Sequence, residues 1–398
     1  MHPGGDRPVC HNDGILVFFL STPGRPYVGS SGVGVLVSTG RPSPTTTQIA
    51  DSQEIGKWEQ LLARLESGDC TPFLGAGACA GMLPLASELA SRWAERYGYP
   101  LSDRMDLHQV MQYVAVSIAR YSDPSDLKRD FIREHFGDVH LPDGVETGQV
   151  HLALARFPKL SHYLTTNYDD LMTLALRLCQ RRPVVGISPW QSVKRGPSSP
   201  WYFDPAVETW RDRSKIPASW RPTPDRPLVF HLHGHHTEPR SLVLTEDDYV
   251  DYLVRFAVER QPGKETSLLS PYVYEILAEK PLLFVGYSLQ DWTFRVLFRT
   301  LLRNTPKGQR RKHVSVQLPP PMRPAILDGR PRPVDDAVTG PPDGEVPEDA
   351  VDVAAKTYLT KYFTDQDITV FWESSSAFAR KLQTLQGGPA QRRTDERQ

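Results

Sequence analysis

The sequence predicts an α/β fold built on a parallel sheet with helices on both faces. Three observations carry that expectation. Short runs that are almost wholly apolar, such as TPFL, PLVF and PLLFV, suit strands buried on both faces. Stretches with helical spacing of apolar residues separate them, the pattern of strand and crossover helix. Four of the apolar runs end in a polar or glycine-rich stretch, which in such a sheet lies where ligands bind, beyond the carboxyl ends of the strands.

Taken in order, CTPFLGAG is a buried strand running into a glycine turn. Leu85, Leu89 and Trp93 then recur at helical spacing, and that helix ends near Gly98. Residues 106–121, 125–136 and 149–156 read as further helices. SHYLTTNYD is a strand with its exit loop, and DLMTLALRLC is the helix after it. PLVFHLHG and SLVLTEDDY both read as strands, followed by helices over 247–259 and 266–279. PLLFVGYS is another buried strand, with DWTFRVLFRTLLRN as its helix. HVSVQL, a helix over 350–363, the strand ITVFW and the helix SAFARKLQTL complete the pattern.

The chain has 398 residues and a formal net charge of −1, so no basic excess points to nucleic acid or an anionic membrane as a partner. The apolar run GILVFFL is far shorter than the roughly 20 residues that span a bilayer. Four cysteines (Cys10, Cys70, Cys79 and Cys179) form no CxxC pair, which argues against a disulfide framework and for a reducing, cytoplasmic setting.

Proline marks the irregular segments. Residues 1–50, 189–227 and 319–347 hold 23 of the 36 prolines, so the regular core lies between them. The expected organisation is a poorly ordered extension over 1–50, one catalytic domain over 51–385 and a disordered tail over 386–398. Within the domain lie a helical segment over 101–157, an insertion over 189–227 and a proline-rich surface loop over 319–347. The insertion carries Trp190, Trp201, Trp210 and Trp220, and that many aromatics argue that it is ordered and packed.

The four strand exits are GAG at 75–77, TTNYD at 165–169, HG at 233–234 and GYS at 286–288, and all four should converge on one crevice. Glycines at a strand-to-helix turn let backbone approach a phosphate, and the helix N-terminus offers amides to it. The stretch FLGAGACAG is neither GxGxxG nor a P-loop. Asn167 offers a donor and an acceptor suited to a ribose hydroxyl or a water. Asp169 or Asp170 also suits the cap of the following helix, as Ser288 or Asp291 does after GYS. HLHGHH, residues 231–236, leaves three readings open: a metal site, a hydrogen-bonded structural pair, or a general base at the strand exit with Gly234 allowing the turn.

Together GAGACAGMLP, LTTNYDDL, HLHG and VGYSLQDWTFR, in this order, resemble the sirtuin-like (silent information regulator) family over about Cys70 to Leu302. LVLTEDDYVDYL and KYFTDQDITVFWESSSAFARKL also look like its bacterial branch. The resemblance implies a Rossmann-like sheet and NAD+ as substrate, with no metal. It implies that Gly75, Ala76 and Gly77 hold the pyrophosphate, with Thr166 alongside. Asn167 and Asp169 would then sit near the nicotinamide ribose. It makes His233 the catalytic histidine and puts Gly286, Ser288 and Asp291 on the adenosine side. Two departures stand out: Cys79 replaces the family's serine, and Cys179 is the only later cysteine, so the four-cysteine zinc module of the protein deacylases is missing. The branch without that module resembles NAD hydrolases that act in defence against phage by abortive infection. Such an enzyme is expected to be a homo-oligomer held in check by a separate sensor, such as a HerA-type ATPase. A module that binds NAD or ADP-ribose without turnover, and an ADP-ribosyltransferase or deacylase, are the competing readings.

Overall fold

A computed structural model describes residues 46–121, 123–136, 149–188, 190, 201–204, 209–212, 220–258, 269, 271–287, 296, 298, 311–318 and 348–386. The chain divides into two units, Met1–Asp51 and Ser52–Gln398. In the first, the described residues are the helical stretch 46–51. Residues 1–45 of the expected extension over 1–50, the loop over 319–347 and residues 387–398 of the expected tail over 386–398 lie outside the described residues, as do Ser288, Asp291 and nearly all of the helix expected after GYS.

The strands are β1 (Thr71–Leu74), β2 (His162–Thr165), β3 (Val184–Ile187), β4 (Trp201–Asp204), β5 (Thr209–Asp212), β6 (Leu228–His231), β7 (Leu282–Val285), β8 (His313–Gln317) and β9 (Ile368–Trp372). They form one sheet in the order β5-β4-β3-β6-β2-β1-β7-β8-β9. The seven strands from β3 to β9 in that order pair in parallel, as the apolar runs predict. The tryptophan-bearing insertion adds β4 and β5, which pair antiparallel at one edge.

The helices are α1 (Thr46–Ser67), α2 (Ala86–Tyr97), α3 (Leu107–Ser117), α4 (Pro124–His135), α5 (Val150–Ala155), α6 (Leu171–Leu178), α7 (Glu246–Val258), α8 (Pro271–Glu279), α9 (Glu348–Thr364) and α10 (Ser375–Gln386). Alternate strand residues go to opposite faces. Leu228, Phe230, Leu282 and Phe284 share one buried cluster with Tyr252 of α7, Val273 of α8 and Leu359 of α9. Val229, Leu283 and Val285 share another with Trp58 of α1, Leu154 of α5, Met172 of α6 and Phe378 of α10. Both faces are thus dry, which is why these strands read as continuous apolar runs. A third cluster joins α2, α3 and α4 around Trp93, Met111 and Phe131. None of the described helices is long and apolar enough to cross a membrane.

Helix ends follow their sequence signals. Asp106 accepts from the amides of His108 and Gln109 at the start of α3. Asp123 accepts from Ser125 at the start of α4, with Pro124 in the first turn. Gly98 closes α2 in the left-handed region at φ 64°.

One expected strand is not a strand. Leu242, Val243 and Leu244 of SLVLTEDDY follow a short 3-10 turn and lead directly into α7. They are fully buried, yet side chains and not a neighbouring strand take up their carbonyls. Lys128 Nζ donates to Leu242 O, Tyr168 Oη to Val243 O and His108 Nδ1 to Leu244 O. A buried loop is tolerated when its backbone polar groups are met in this way.

Candidate active site

The carboxyl ends of β1, β2, β6 and β7 open on one cavity of about 530 Å³. It lies beside β1, where the strand order turns back: β2 flanks β1 on one side and β7 on the other. Ala76, Thr166, Asn167, Asp169, His233 and Gly286 line it, so the four exits predicted to converge do so. Its remaining wall is largely apolar, from Leu83–Leu89 of the α2 entry, Leu107 of α3, and Phe131 and Phe136 at the end of α4.

The glycine turn is explained first by packing. The amides of Gly75 and Gly77 donate to Val285 O at 2.9 Å and to Gly286 O at 3.0 Å. A Cβ on Gly75 would lie 2.8 Å from Gly286 O, and one on Gly77 2.9 Å from Gly286 Cα. Gly286 itself has φ +79°, and a Cβ there would sit 2.1 Å from Ala78 N. The three glycines therefore let two strand exits touch backbone to backbone. Of the GAG residues, Ala76 lines the cavity.

Asn167 is held at three points. Its amide donates to Thr165 Oγ1 at 2.9 Å, and its Nδ2 donates to Gly75 O and to Cys79 Sγ, each at 3.1 Å. His231 Nδ1 donates to its backbone oxygen at 2.8 Å. With the carboxamide nitrogen engaged on the protein, its oxygen is the group left to meet a ligand.

Asp169 is buried and accepts twice. Oδ1 caps α6 by taking the Leu171 amide at 2.9 Å, and Oδ2 takes the Cys79 thiol proton at 3.3 Å. The Cys79 thiol is pushed well above its ordinary range, first by burial and then by the Asp169 charge, so it stays a neutral thiol. His151 Nε2 lies 3.8 Å from that sulfur. Thr166 Oγ1 and Tyr287 Oη are 2.6 Å apart, and Tyr287 Oη also donates to Leu74 O.

His233 turns its ring edge-on to Tyr249 and Tyr252, with centroids 5.6 and 4.8 Å away. Its Nε2 is buried and has no protein partner. Burial, with a smaller push from His108, drives its pKa down to about 3, so the imidazole is neutral throughout the physiological range. Gly234 follows at φ +95°, with Ser241 O 2.2 Å from where a Cβ would stand.

The other histidines of HLHGHH have partners. Beyond its bond to Asn167, His231 packs edge-on against His235 at 4.6 Å. His235 and His236, which have no role in the sequence reading, meet Asp170. His235 Nε2 lies 2.9 Å from Oδ1 and His236 Nε2 lies 2.8 Å from Oδ2. Burial opposes the Asp170 charge, but the two imidazoles overcome it and hold the carboxyl well below the usual carboxylate range.

Among the lining residues not expected from the sequence, two bring polar rings from outside the strand exits. His108, on α3, and Tyr249, on α7, both line the cavity with their rings 4.8 Å apart. Both sit within helices and not at the end of a strand of the sheet, so the strand-exit rule does not point to them.

Residues 161–330 match the family model of a SIR2-like domain. That stretch contains the TTNYD, HLHG and GYS exits. The chain is also similar to the protein named NAD(+) hydrolase ThsA from Enterococcus faecium, at 24% identity over 57% of this chain and 38% of that one. A second protein of that name, from Acinetobacter baumannii (strain 532279), is 25% identical over 58% of this chain and 39% of that one. The chain thus spans under two fifths of the length of these relatives.

Proposed function

We propose, with the SIR2-like match as premise, that this chain is an NAD+ glycohydrolase releasing nicotinamide and ADP-ribose. The observation that carries the reading is the arrival of Asn167 and His233, from two different strands, on one cavity that also meets the β1 and β7 exits. The names of the two relatives point to the same reaction.

Breaking the nicotinamide–ribose bond builds oxocarbenium-like charge on the sugar, as in glycoside hydrolysis. Nicotinamide departs from a cationic ring, so no strong acid is required. Neutral His233 offers an unengaged buried nitrogen that accepts a hydrogen bond from water or a ribose hydroxyl. With so low a pKa its part is chiefly to orient that hydroxyl. Asn167 Oδ1 supplies the second contact. Asp169 sets negative charge behind Cys79, near where positive charge develops. Ala76, Gly286 and Thr166 line the same cavity, where the pyrophosphate and adenosine side would pass.

Incubation of the chain with NAD+, followed by chromatography for nicotinamide, tests the reading. His233→Ala and Asn167→Ala should each slow release by about 10²–10⁴-fold. Release at the wild-type rate by either variant would overturn that residue's role. Binding of NAD+ without release, even with a co-purified activator, would favour a binding module instead.

We further propose that the biological role is NAD+ depletion in anti-phage defence, by a homo-oligomer that a separate sensor such as a HerA-type ATPase switches on. Size-exclusion chromatography that shows only monomers, with and without such a partner, would count against the assembly.

A further inference from the structure

We propose that Asp170, His235 and His236 form a binding site for a divalent transition-metal ion, zinc fitting best, separate from the cavity that takes NAD+. Two imidazoles and one carboxylate are ligand types that zinc and its neighbours prefer, and three protein ligands leave a fourth position for water. One ligand atom from each residue lies within 4.8 Å of the other two. At zinc's bond lengths, ligand atoms around a tetrahedral ion stand about 3.4 Å apart. The present contacts of 2.9 Å from His235 to one carboxylate oxygen and 2.8 Å from His236 to the other are a few tenths of an ångström tighter than that spacing, so each opens slightly as an ion enters.

Two further observations point to a metal site. The side chains of Asp170 and His236 are 27% and 18% exposed, so an ion has a way in. The second ring nitrogen of His235 already has a partner, Thr237 Oγ1 at 2.8 Å, the kind of contact that orients a ligating imidazole. Binding through Nε2 shifts the His235 proton to Nδ1, which then donates to that hydroxyl. The longer approach of the Thr237 amide to Nδ1, at 3.3 Å, is given up.

The three ligands come from the two exits that matter for the reaction. Asp170 follows Asn167 on the β2 exit, and His235 and His236 follow His233 on the β6 exit. An ion held between them ties the two loops together. It takes no part in bond cleavage, so this site stands or falls apart from the proposed hydrolysis.

Untagged chain, stripped with a chelator and dialysed, is titrated with zinc(II) by calorimetry and with cobalt(II) by visible absorption. One equivalent per chain is expected, with a rise in Tm. His236→Ala and Asp170→Asn should each lose that equivalent while keeping the wild-type circular dichroism. If alanine at 236 prevents folding, His236→Gln keeps a donor to Asp170 and removes the imidazole ligand. No stoichiometric uptake, or uptake that survives both changes at 236, overturns the site. So does a sulfur-to-cobalt charge-transfer band that disappears in Cys79→Ser. That band would assign the ion to Cys79, His151 and Asp169, whose ligand atoms also cluster within 4.8 Å.

Discussion

The carboxamide nitrogen of Asn167 and the sulfur of Cys79 meet at 3.1 Å, and the thiol in turn donates to Asp169 Oδ2 at 3.3 Å. The chain Asn167–Cys79–Asp169 fixes which way the carboxamide points. Cys79→Ser keeps a donor and an acceptor there and should leave NAD+ turnover within a few-fold of wild type. Cys79→Val removes both and frees the carboxamide to rotate. Because small misplacements of a positioned group are costly, kcat should fall about 10–100-fold with KM less affected. Steady-state nicotinamide release by the two variants checks this.

Lys128 is 1% exposed and pairs with Asp248 at 2.8 Å, while also donating to Leu242 O. Burial pulls its pKa down, and Asp248 opposes the fall. Lys128→Ala leaves Asp248 and a loop carbonyl without that partner. A loss of about 3–5 kcal/mol is expected in urea denaturation, since breaking a buried pair costs more than the pair contributes. Lys128→Met, which fills the same space, should lose no more than the alanine variant.

Gly234 cannot take a side chain. At φ +95°, with Ser241 O 2.2 Å from the added Cβ, Gly234→Ala must displace either the loop or the His233 strand end. Left-handed strain alone costs about 1–3 kcal/mol, and the clash adds to it. The variant should melt well below wild type, and a Tm within a degree of wild type would contradict the geometry.

His162 and His313 lie far along the sheet from the cavity exits, and burial lowers both to about 4, with smaller pushes from Lys280 and Arg64 respectively. In the unfolded chain such groups titrate near 6.5. Above that value both states are neutral and the stability is fully present. As pH falls from about 6.5 towards about 4, only the unfolded chain takes up protons, so stability declines. Tm should therefore drop steadily between pH 7 and pH 4.5, and a flat profile would oppose it.

The sheet was legible because its strands are buried on both faces and therefore uniformly apolar. The convergence of GAG, TTNYD, HG and GYS followed from the rule that parallel strands present their carboxyl ends, where ligands bind, on one edge of the sheet. SLVLT misled because an apolar run gives no sign of what meets its carbonyls. The partners here are Lys128, Tyr168 and His108, all distant in sequence. The Asp170–His235–His236 group was hidden for the same reason, since 65 and 66 residues separate the carboxylate from the two imidazoles. The edge pair β4 and β5 was not legible: four tryptophans argued for an ordered insertion, but nothing in their spacing announced two antiparallel strands.

The contact between Gly75, Gly77 and Gly286 has a mutational consequence. Because each backbone fills the space where the other's side chain would grow, neither turn has independent freedom to vary. A larger residue at 286 is blocked by the turn at 75–78, and one at 75 or 77 by the turn at 286. The two exits behave as a single unit for substitution. In a randomised library selected for folding, these three positions should return glycine together, while Ala76 between them, facing the cavity, should tolerate variety.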